Sequence, residues 1–468
     1  MKRILVLIVA AITLLGTQFA VAQSRTSYFM EGSPFRNDLN PALAPTRGFL
    51  ALPGFSGIGM NATTNFMSVD NFLYQKDGQL VTALHGSVSS EEFFNKLPEL
   101  GKATLDFKTN IFSVGFYAKK MYWTFGLNAD VSGDMAMSMD MFKALKTLGN
   151  GTFDLGATAI DANAYMDAYL GTSFRVHDNV NIGIKAKFLV GIANLEANFS
   201  ELVANVTPDE VNANLHGSWR ANGIFIDKTP VKAGNDLPIG EILKFDPSYM
   251  LNTLNNFGAA IDLGAEVRLL DNHLKISAAV TDLGIIKWSG DGHIEGTAEG
   301  NFKFNGMNFE AEELGVDGDF EMLVTDAVEN TGYISMLNFS VNAGVEYNIL
   351  NNHIAFGVMS HTKFCKTMTY SELIASVNFR ATNWLTATFS HTFLNGNRPG
   401  VLGFALNIHP RVINIFVGAD YIDTRYVKGP SVGGMDTVMG RYQQSLNVYA
   451  GVTFNFAHPK FMRGKQTK

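Results

Sequence analysis

The feature that most constrains the fold is the strict alternation of residue types in segment 445–456, SLNVYAGVTFNF. Apolar residues occupy every even position from Leu446 to Phe456, and mainly polar or small residues occupy the odd ones. A period of two over the whole segment indicates a β-strand with two unlike faces. The apolar face ends in Phe454 and Phe456, as expected where a strand reaches a bilayer interface. We therefore predict the closing strand of a transmembrane β-barrel, a fold that leaves no backbone edge unpaired in hydrocarbon.

The first 22 residues have the organisation of a secretory signal peptide. Lys2 and Arg3 precede the apolar run 4–15, and residues 20–22, Ala-Val-Ala, form a small-x-small cleavage site. The apolar run is too short to cross a bilayer as a helix, which needs about 20 residues. We therefore expect residues 1–22 to be removed on export, and the mature chain to begin at Gln23.

Composition favours a membrane barrel over a soluble protein. Hydrophobic residues make up 46% of the chain and charged residues only 17%, against about 25% charged residues in ordinary soluble domains. No stretch after the signal peptide approaches the ~18 uninterrupted apolar residues of a membrane helix. Alternating membrane strands produce this combination. A large secreted β-sandwich is the alternative.

Charge and cysteine usage exclude two other classes of protein. The formal net charge is −7, so there is no basic surface of the kind that binds nucleic acid. Cys365 is the single cysteine, which excludes an internal disulfide and a Cys-based zinc site. Packing and strand pairing must therefore hold the exported protein together.

Paired strand-like segments recur along the chain, each pair joined by a short turn that often contains Asn or Asp. These residues are favoured in tight turns because they tolerate positive φ. A first strand within residues 48–66, broken by Pro53-Gly54, and the closing strand bring the total to about 14. An even number puts both chain ends on the side of the short turns. The predicted hairpins are 110–118 with 121–132, 168–176 with 180–191, 258–269 with 274–283, 339–348 with 354–360, 373–381 with 385–391, and 402–408 with 413–421.

Connection lengths are asymmetric. One end of the predicted strands has only short turns, whereas the other has long connections, as in barrels with periplasmic turns and extracellular loops. We therefore predict an all-β, transmembrane antiparallel β-barrel over residues 48–456, preceded by a periplasmic or plug segment, 23–47, and followed by a periplasmic tail, 457–468. The long extracellular loops are predicted at about 67–107, 133–165, 192–257, 284–338 and 423–444.

The predicted outer face is apolar and carries aromatic residues near the short turns. Such residues form the girdles at membrane interfaces. Trp288 and Tyr421 are predicted to belong to the corresponding outer girdle. The periplasmic girdle is predicted to contain Trp123, Phe174, Tyr347, Trp384, Phe454 and Phe456.

The predicted inner face carries charged residues and many glycines. Antiparallel pairing would bring Lys185 and Lys187 to about the height of Glu266 and Asp262. The charges form either a structural ion-pair network or a polar path that contacts a ligand. Inward glycines leave room for a close approach, and segment 23–47 is the candidate to fill it; alternatively, they relieve curvature strain. The candidate ligand-binding or lumen network is Arg175, Lys185, Lys187, Asp262, Glu266, Arg268, Glu346 and Arg380.

The sequence contains only incomplete matches to catalytic, nucleotide-binding and metal-binding motifs. Ser390-His391, with Asn395 and Arg398, could suggest a lipid hydrolase, but no nucleophile elbow is present. Residues 57–62 imitate a dinucleotide fingerprint without the strand–helix unit that it requires. Asp317, Asp319 and Glu321 alternate in an outer loop without the spacing of an EF-hand. We predict no catalytic residue, no metal site and no cofactor.

Short motifs resemble those of a known superfamily. Asn40-Pro41-Ala42-Leu43, just before the first strand, resembles the plugged barrel of the outer-membrane long-chain fatty-acid transporters. The resemblance covers essentially the whole mature chain. It implies that the amino-terminal segment forms a hatch containing this plug motif, and that substrate leaves sideways through a gap in the wall. The segments similar to an uncharacterised barrel family of that superfamily are 39–52, 281–288 and 414–421.

Three functions are compatible with this pattern. The first is a plugged transporter or channel for a small hydrophobic molecule. The second is a non-conducting scaffold for secretion or surface-attachment partners, because related barrels serve such roles and fold does not choose between them. The third is a lipid hydrolase, which Ser390 and His391 could support only if they faced the same side of their strand. Each places the protein in the outer membrane, in contact with its lipid.

Overall fold

The computed structural model describes residues 25–53, 57–76, 79–147, 151–154, 156–206, 211–223, 237–238, 253–304, 323–324, 331–394, 400–428, 438–440 and 445–456. The predicted signal peptide, the periplasmic tail and the acidic residues Asp317, Asp319 and Glu321 lie outside the described residues, as do Asn395 and Arg398.

Strands dominate the described chain. Short helices cover Arg36–Leu39, Val69–Phe72, Ser90–Phe94 and Asp140–Thr147, and a 3₁₀ helix covers Gly290–Gly292. The strands are β1 (Gly48–Ala51), β2 (Ile58–Thr64), β3 (Leu73–Lys76), β4 (Gln79–Thr82), β5 (Leu100–Ala118), β6 (Met121–Ser138), β7 (Gly151–Asp154), β8 (Thr158–His177), β9 (Val180–Val206), β10 (Val211–Gly223), β11 (Leu237–Pro238), β12 (Phe257–Leu269), β13 (Leu274–Trp288), β14 (His293–Phe304), β15 (Leu323–Val324), β16 (Tyr333–Met336), β17 (Phe339–Ile349), β18 (Ile354–Phe364), β19 (Thr369–Thr382), β20 (Leu385–Leu394), β21 (Val401–Ile408), β22 (Ile413–Ile422), β23 (Tyr426–Lys428), β24 (Val438–Gly440) and β25 (Ser445–Phe456).

Fourteen wall strands close into an antiparallel barrel. The first wall strand consists of β1 and β2, and it is followed in order by β5, β6, β8, β9, β12, β13, β17, β18, β19, β20, β21, β22 and β25. The predicted closing strand β25 pairs with β22 on one side and with β1 and β2 on the other. The predicted fold class and strand number are thus confirmed.

The first wall strand is interrupted. Leu50 lies opposite Phe454, whereas Met60 lies opposite Val448, so this strand contains four more residues than the matching part of β25. Pro53 lies in the interruption, where the lack of a backbone N–H prevents it from donating to a strand ladder.

The six short turns lie where the sequence placed them. Two of them are alike: residues 270–273, LDNH, and 350–353, LNNH, each begin with three consecutive residues at positive φ. The second and third of these residues are Asp or Asn, which adopt this left-handed conformation more readily than most side chains.

Strands extend far beyond the membrane on the side opposite the turns. β9 alone has 27 residues, whereas about 9–11 tilted residues suffice to cross a bilayer. β10 pairs with its outer part, β14 pairs with β10, and the short strands β7, β11 and β15 join this outer sheet. Much of the chain that the sequence assigned to loops between 133 and 338 is therefore strand.

Side chains alternate as predicted along the wall. In β17, Val341, Val345 and Tyr347 are exposed on the outside, whereas Asn342 and Glu346 are buried inside. The apolar outer belt is the surface that lipid would cover. No helix in the described ranges is long and apolar enough to span a membrane.

The predicted outer girdle residues Trp288 and Tyr421 are not at the outer surface. Both are almost completely buried. In each case a bulge reverses the alternation of the strand: Asp282 has φ 62° and precedes Trp288, and Tyr421 itself has φ 64°. The register shifts at these two places. A single inserted residue exchanges the two faces of a strand, so the prediction for this pair is wrong.

Candidate functional site

The amino-terminal segment 25–47 fills the barrel interior without joining the sheet. Tyr28, Asn40 and Ala42 are fully buried there. Five wall glycines contact the segment directly. A methyl group at Gly183 would overlap the backbone of Pro41 and Ala42, and one at Gly264 would overlap the Asn40 side chain. Gly344, Gly357 and Gly403 face Tyr28, Phe29 and Thr26 in the same way. We call residues 25–47 the plug.

The plug motif, residues 40–43, makes contacts both within the plug and with the wall. The Asn40 Nδ2 group donates to the Tyr28 hydroxyl at 3.1 Å and to the Ala278 carbonyl on β13 at 3.3 Å. The Asn40 Oδ1 atom accepts from the Ala42 backbone N–H at 2.9 Å, which fixes the turn that contains Pro41. Leu43 packs in an apolar cluster with Leu39, Tyr28 and Phe29 of the plug and with Met359 and Ile374 of the wall.

Arg25 joins the start of the plug to several wall strands. Its Nε atom lies 2.6 Å from Glu372 on β19. Its guanidinium also donates to the hydroxyls of Tyr370 and Tyr421, and its Nη2 atom lies 3.2 Å from the His361 ring. All these side chains are buried. The bulge that turns Tyr421 inward thus completes a buried polar cluster around Arg25.

Asp420 extends this cluster. It accepts hydrogen bonds from the Arg25 backbone N–H at 3.3 Å, from the Thr26 hydroxyl, and from Asn447 at 2.7 Å. The sequence prediction missed Arg25, Glu372 and Asp420. The two carboxylates occupy inward positions that the alternation rule could have identified, whereas no local signal marks Arg25.

Lys185 and Lys187 both point inward, but they form ion pairs with different residues. Lys185 Nζ lies 2.7 Å from Asp38 of the plug and over the ring of Tyr169. Lys187 Nζ lies 2.9 Å from Asp262 and also pairs with Asp282. The predicted proximity of Lys187 and Asp262 is present. Lys185 instead binds the plug, which the sequence did not indicate.

Glu346 and Arg380 form a second ion-pair group near the short turns. They pair with each other, and Glu346 lies 3.0 Å from Lys275. Arg380 donates to the Phe29 carbonyl of the plug at 3.0 Å, and Lys275 pairs with Glu31 of the plug. This group therefore holds the plug at its turn side.

The remaining predicted network residues lie at the turn-side rim. Glu266 is buried and pairs with Arg268 at 2.6 Å, and it accepts a hydrogen bond from Asn181 at 3.2 Å. Arg175 is exposed beside the turn after β8. The structure thus divides the eight predicted residues among contacts that hold the plug, the wall ion pair of Lys187 with Asp262, and the turn-side rim. Their role in binding a ligand stays a prediction.

Plug carboxylates are stabilised in their charged form. Burial acts to raise the pKa of Glu31, but Lys275 and Arg380 hold that pKa well below its ordinary value. For Asp38, burial likewise acts upward, and Lys185 with Lys108 lowers the pKa overall. Both plug residues are therefore anions at neutral pH, paired with wall cations.

A polar cavity of about 80 Å³ lies between the plug and the outer side of the barrel. Charged residues of both signs surround it, and Lys108 lies 3.3 Å from Asp130 in its wall. Tyr165 links it to an apolar cluster that includes Leu189, Ile286 and Trp288. The charged and imidazole side chains lining the cavity are Arg25, Asp106, Lys108, Asp130, Asp282, His361 and Lys363.

The sequence candidates for chemistry do not assemble into a site. Ser390 faces inward and shares a hydrogen bond of 2.7 Å with the Thr26 hydroxyl of the plug. His391 lies on the other face of β20 and packs against Phe393. In the described part of the chain, no group of three or more His, Cys, Asp or Glu is arranged to hold a metal ion.

The closed wall, the apolar belt and the buried amino-terminal segment define a plugged transmembrane β-barrel. The chain belongs to the family described as "Family of unknown function (DUF5723)", whose profile matches residues 41–420. The expectation of an uncharacterised barrel family is thereby confirmed. No curated protein sequence matches the chain significantly.

Several solved structures are similar to this chain at low identity. The toluene transporter TbuX of Ralstonia pickettii is 8% identical, with 91% of this chain and 94% of that chain covered and a TM-score of 0.40. A FadL homologue of Pseudomonas aeruginosa is 11% identical, with 94% and 100% covered and a TM-score of 0.41. The translocator domain of the autotransporter NalP of Neisseria meningitidis is 7% identical, with 92% and 96% covered and a TM-score of 0.29. These values are too low to transfer the role of any residue.

Proposed function

We propose that this protein is a gated transport barrel, exported to the outer membrane by its signal peptide, which passes a small hydrophobic molecule when the plug moves. One observation carries the proposal: the plug is a separate segment inside a closed wall and makes no strand pairing with it. Side-chain contacts hold it, including Lys185–Asp38 and Arg380–Phe29. Such contacts can break while the wall stays intact.

Apolar wall residues under the plug support a hydrophobic cargo. Met359 and Ile374 face inward and are covered by the plug. Phe416 of the wall packs in a second apolar cluster with Met30 of the plug. Displacement of the plug would expose these side chains to the lumen beside charged neighbours. An apolar molecule would then find surface to contact inside the barrel.

The test compares the intact protein with a variant that lacks residues 25–43. In planar bilayers, we expect low conductance from the intact barrel and a much larger conductance from the deletion variant. Uptake of radiolabelled toluene and oleate by cells carrying the intact protein should exceed that of cells without it, whereas sucrose uptake should not change. The proposal would be contradicted by a folded deletion variant that does not conduct, together with toluene and oleate uptake no greater than in cells without the protein.

A scaffold function is the second candidate, and the small size of the cavity favours it. A lumen filled by side chains and plug is what a non-conducting barrel requires, and the cavity between plug and outer side measures only about 80 Å³. Tight co-purification of a secretion or surface partner, with no conductance even after plug deletion, would establish this alternative. We propose no catalytic role, because Ser390 and His391 face opposite sides of β20.

A further inference from the structure

The hairpin tip between β18 and β19 crosses the barrel on the outer side. The tip consists of residues 365–368, and its backbone is closed by a hydrogen bond of 2.9 Å from the Cys365 N–H to the Met368 carbonyl. β19 is the tenth wall strand and β6 the third, so they are as far apart as a ring of fourteen allows. A tip that stayed above its own strands would not reach β6.

The tip is nevertheless bound to β6. Both the backbone N–H and the hydroxyl of Thr367 donate to the Asp134 Oδ2 atom, at 2.8 and 2.6 Å. Asn338, just before β17, donates to the other oxygen of Asp134 at 2.9 Å. Asp134 is 3% exposed. A buried carboxylate with three donors is a specific attachment point and not a chance surface contact.

Two lysines extend the attachment to neighbouring strands. Lys366 in the tip pairs with Glu196 on β9 and lies 3.9 Å from Asp161 on β8. Lys363, at the end of β18, pairs across the lumen with Asp106 on β5. Lys366 is partly exposed, so solvent screens its pairs. The hydrogen bonds to Asp134 and the ion pair of the buried Lys363 therefore contribute most to the stability of the attachment.

Residues that attach the tip form part of the lining of the polar cavity. Lys363, Asp106 and Asn338 all contribute to the cavity lining, and each takes part in the attachment. The cavity is thus bounded by Arg25 of the plug and by residues that hold the tip in place.

We propose that residues 365–368 form a second gate, latched across the outer mouth by the contacts of Thr367 with Asp134, and separate from the plug. Only the purpose of this gate depends on the proposed transport function. Its geometry and its opening can be tested without any cargo. With both gates in place, a solute must pass two barriers, the plug and the latched tip.

Cys365 provides a native reporter for the gate, since it is the only cysteine of the chain. Burial raises the pKa of its thiol to about 12. Because the thiolate is the reactive form, a membrane-impermeant maleimide should label the intact protein slowly at pH 7.5. Opening the gate would expose the thiol to water and accelerate labelling.

The experiment measures maleimide labelling of the full-length protein in liposomes. Thr367→Val removes one hydrogen-bond donor while keeping the shape of the side chain. Asp134→Asn places an amide donor opposite the donors that the carboxylate accepts from. We expect each substitution to accelerate labelling at least tenfold. Lys143→Gln is the matched control, because it breaks the Lys143–Asp140 pair of an outer helix and should leave labelling unchanged. Heat-modifiable migration on gels verifies that each variant is a folded barrel.

Folded Thr367→Val and Asp134→Asn variants that label at the rate of the intact protein would overturn the gate. Faster labelling in barrels that never conduct, even without the plug, would support the gate and contradict transport. The two proposals therefore fail by different measurements.

Discussion

Individual residues make the lumen fit its plug. Gly183 and Gly264 remove side chains where the backbone at Pro41 and the Asn40 side chain press against the wall. Around Arg25, hydroxyl, carboxylate, imidazole and amide groups from four wall strands converge on one guanidinium. A buried cation of this kind is tolerated only when it is paired and hydrogen-bonded.

A methyl group at position 183 should loosen the plug. We expect Gly183→Ala to weaken plug docking by about 1–3 kcal/mol, since overpacking a filled site costs about this much. The measurement is the rate of trypsin cleavage after the buried Arg36 of the plug. Gly133→Ala is the control, because the nearest atom to a methyl group there is 3.8 Å away. Equal cleavage rates in the two variants would contradict the predicted contact.

Loss of the Arg25 charge should release the start of the plug. We expect Arg25→Gln to weaken docking by about 3–5 kcal/mol, because Glu372 would remain buried without its cation. Hydrogen exchange of residues 25–35 measures the release. Arg175→Gln, which changes an exposed arginine at the rim, should leave exchange unchanged. Protection at the level of the intact protein in Arg25→Gln would show that the cluster does not hold the plug.

At the scale of elements, ion pairs fasten the plug to particular wall strands. Asp38 binds Lys185 on β9, and Glu31 binds Lys275 on β13. The pKa values of both carboxyls are lowered in the folded protein. A lowered pKa stabilises docking above the ordinary pKa of the carboxyl, and that contribution is lost as the pH falls through the folded value.

The plug should therefore become mobile when the solution is made acidic, and its mobility should not change with pH near neutrality. We expect a spin label at Ala44→Cys, in a Cys365→Ser background, to stay immobile from pH 8 to about pH 5 and to become mobile below about pH 4. The doubly substituted Glu31→Gln, Asp38→Asn protein should lack this transition. Mobilisation near pH 7, or on raising the pH, would contradict the assignment.

At the scale of the whole molecule, the wall and the plug contribute differently to folding. β25 completes the wall by pairing with β22 and with the first wall strand. The plug contributes contacts inside but no pairing. An open sheet edge in hydrocarbon leaves unsatisfied backbone groups that cost several kcal/mol each, whereas a vacated lumen fills with water.

Deletion of residues 445–456 should abolish the barrel, and deletion of residues 25–43 should not. We expect only the plug-deleted protein to insert into liposomes and to show heat-modifiable migration. Circular dichroism measures the strand content of both. A folded barrel that lacks the closing strand would contradict the closure seen here.

The sequence by itself determined the wall. A period of two, short turns containing Asn and Asp, and aromatic residues near those turns depend only on neighbours along the chain, so they predicted fourteen strands and an apolar outer belt. The alternation also identified Lys187 and Asp262 as inward neighbours. It failed at Trp288 and Tyr421, because a single bulge residue with positive φ leaves no periodic signal and exchanges the faces of everything after it.

Only the tertiary structure decided what the inward residues contact. The partner of Lys185 is Asp38 on the plug, and the partner of Thr367 is Asp134 on the far wall, at separations along the chain that no local pattern records. Closing the wall into a ring brings such distant segments together inside one narrow space. Strand identity follows from local periodicity, whereas the contacts of the plug and of the tip 365–368 follow from the closure of the wall into a ring.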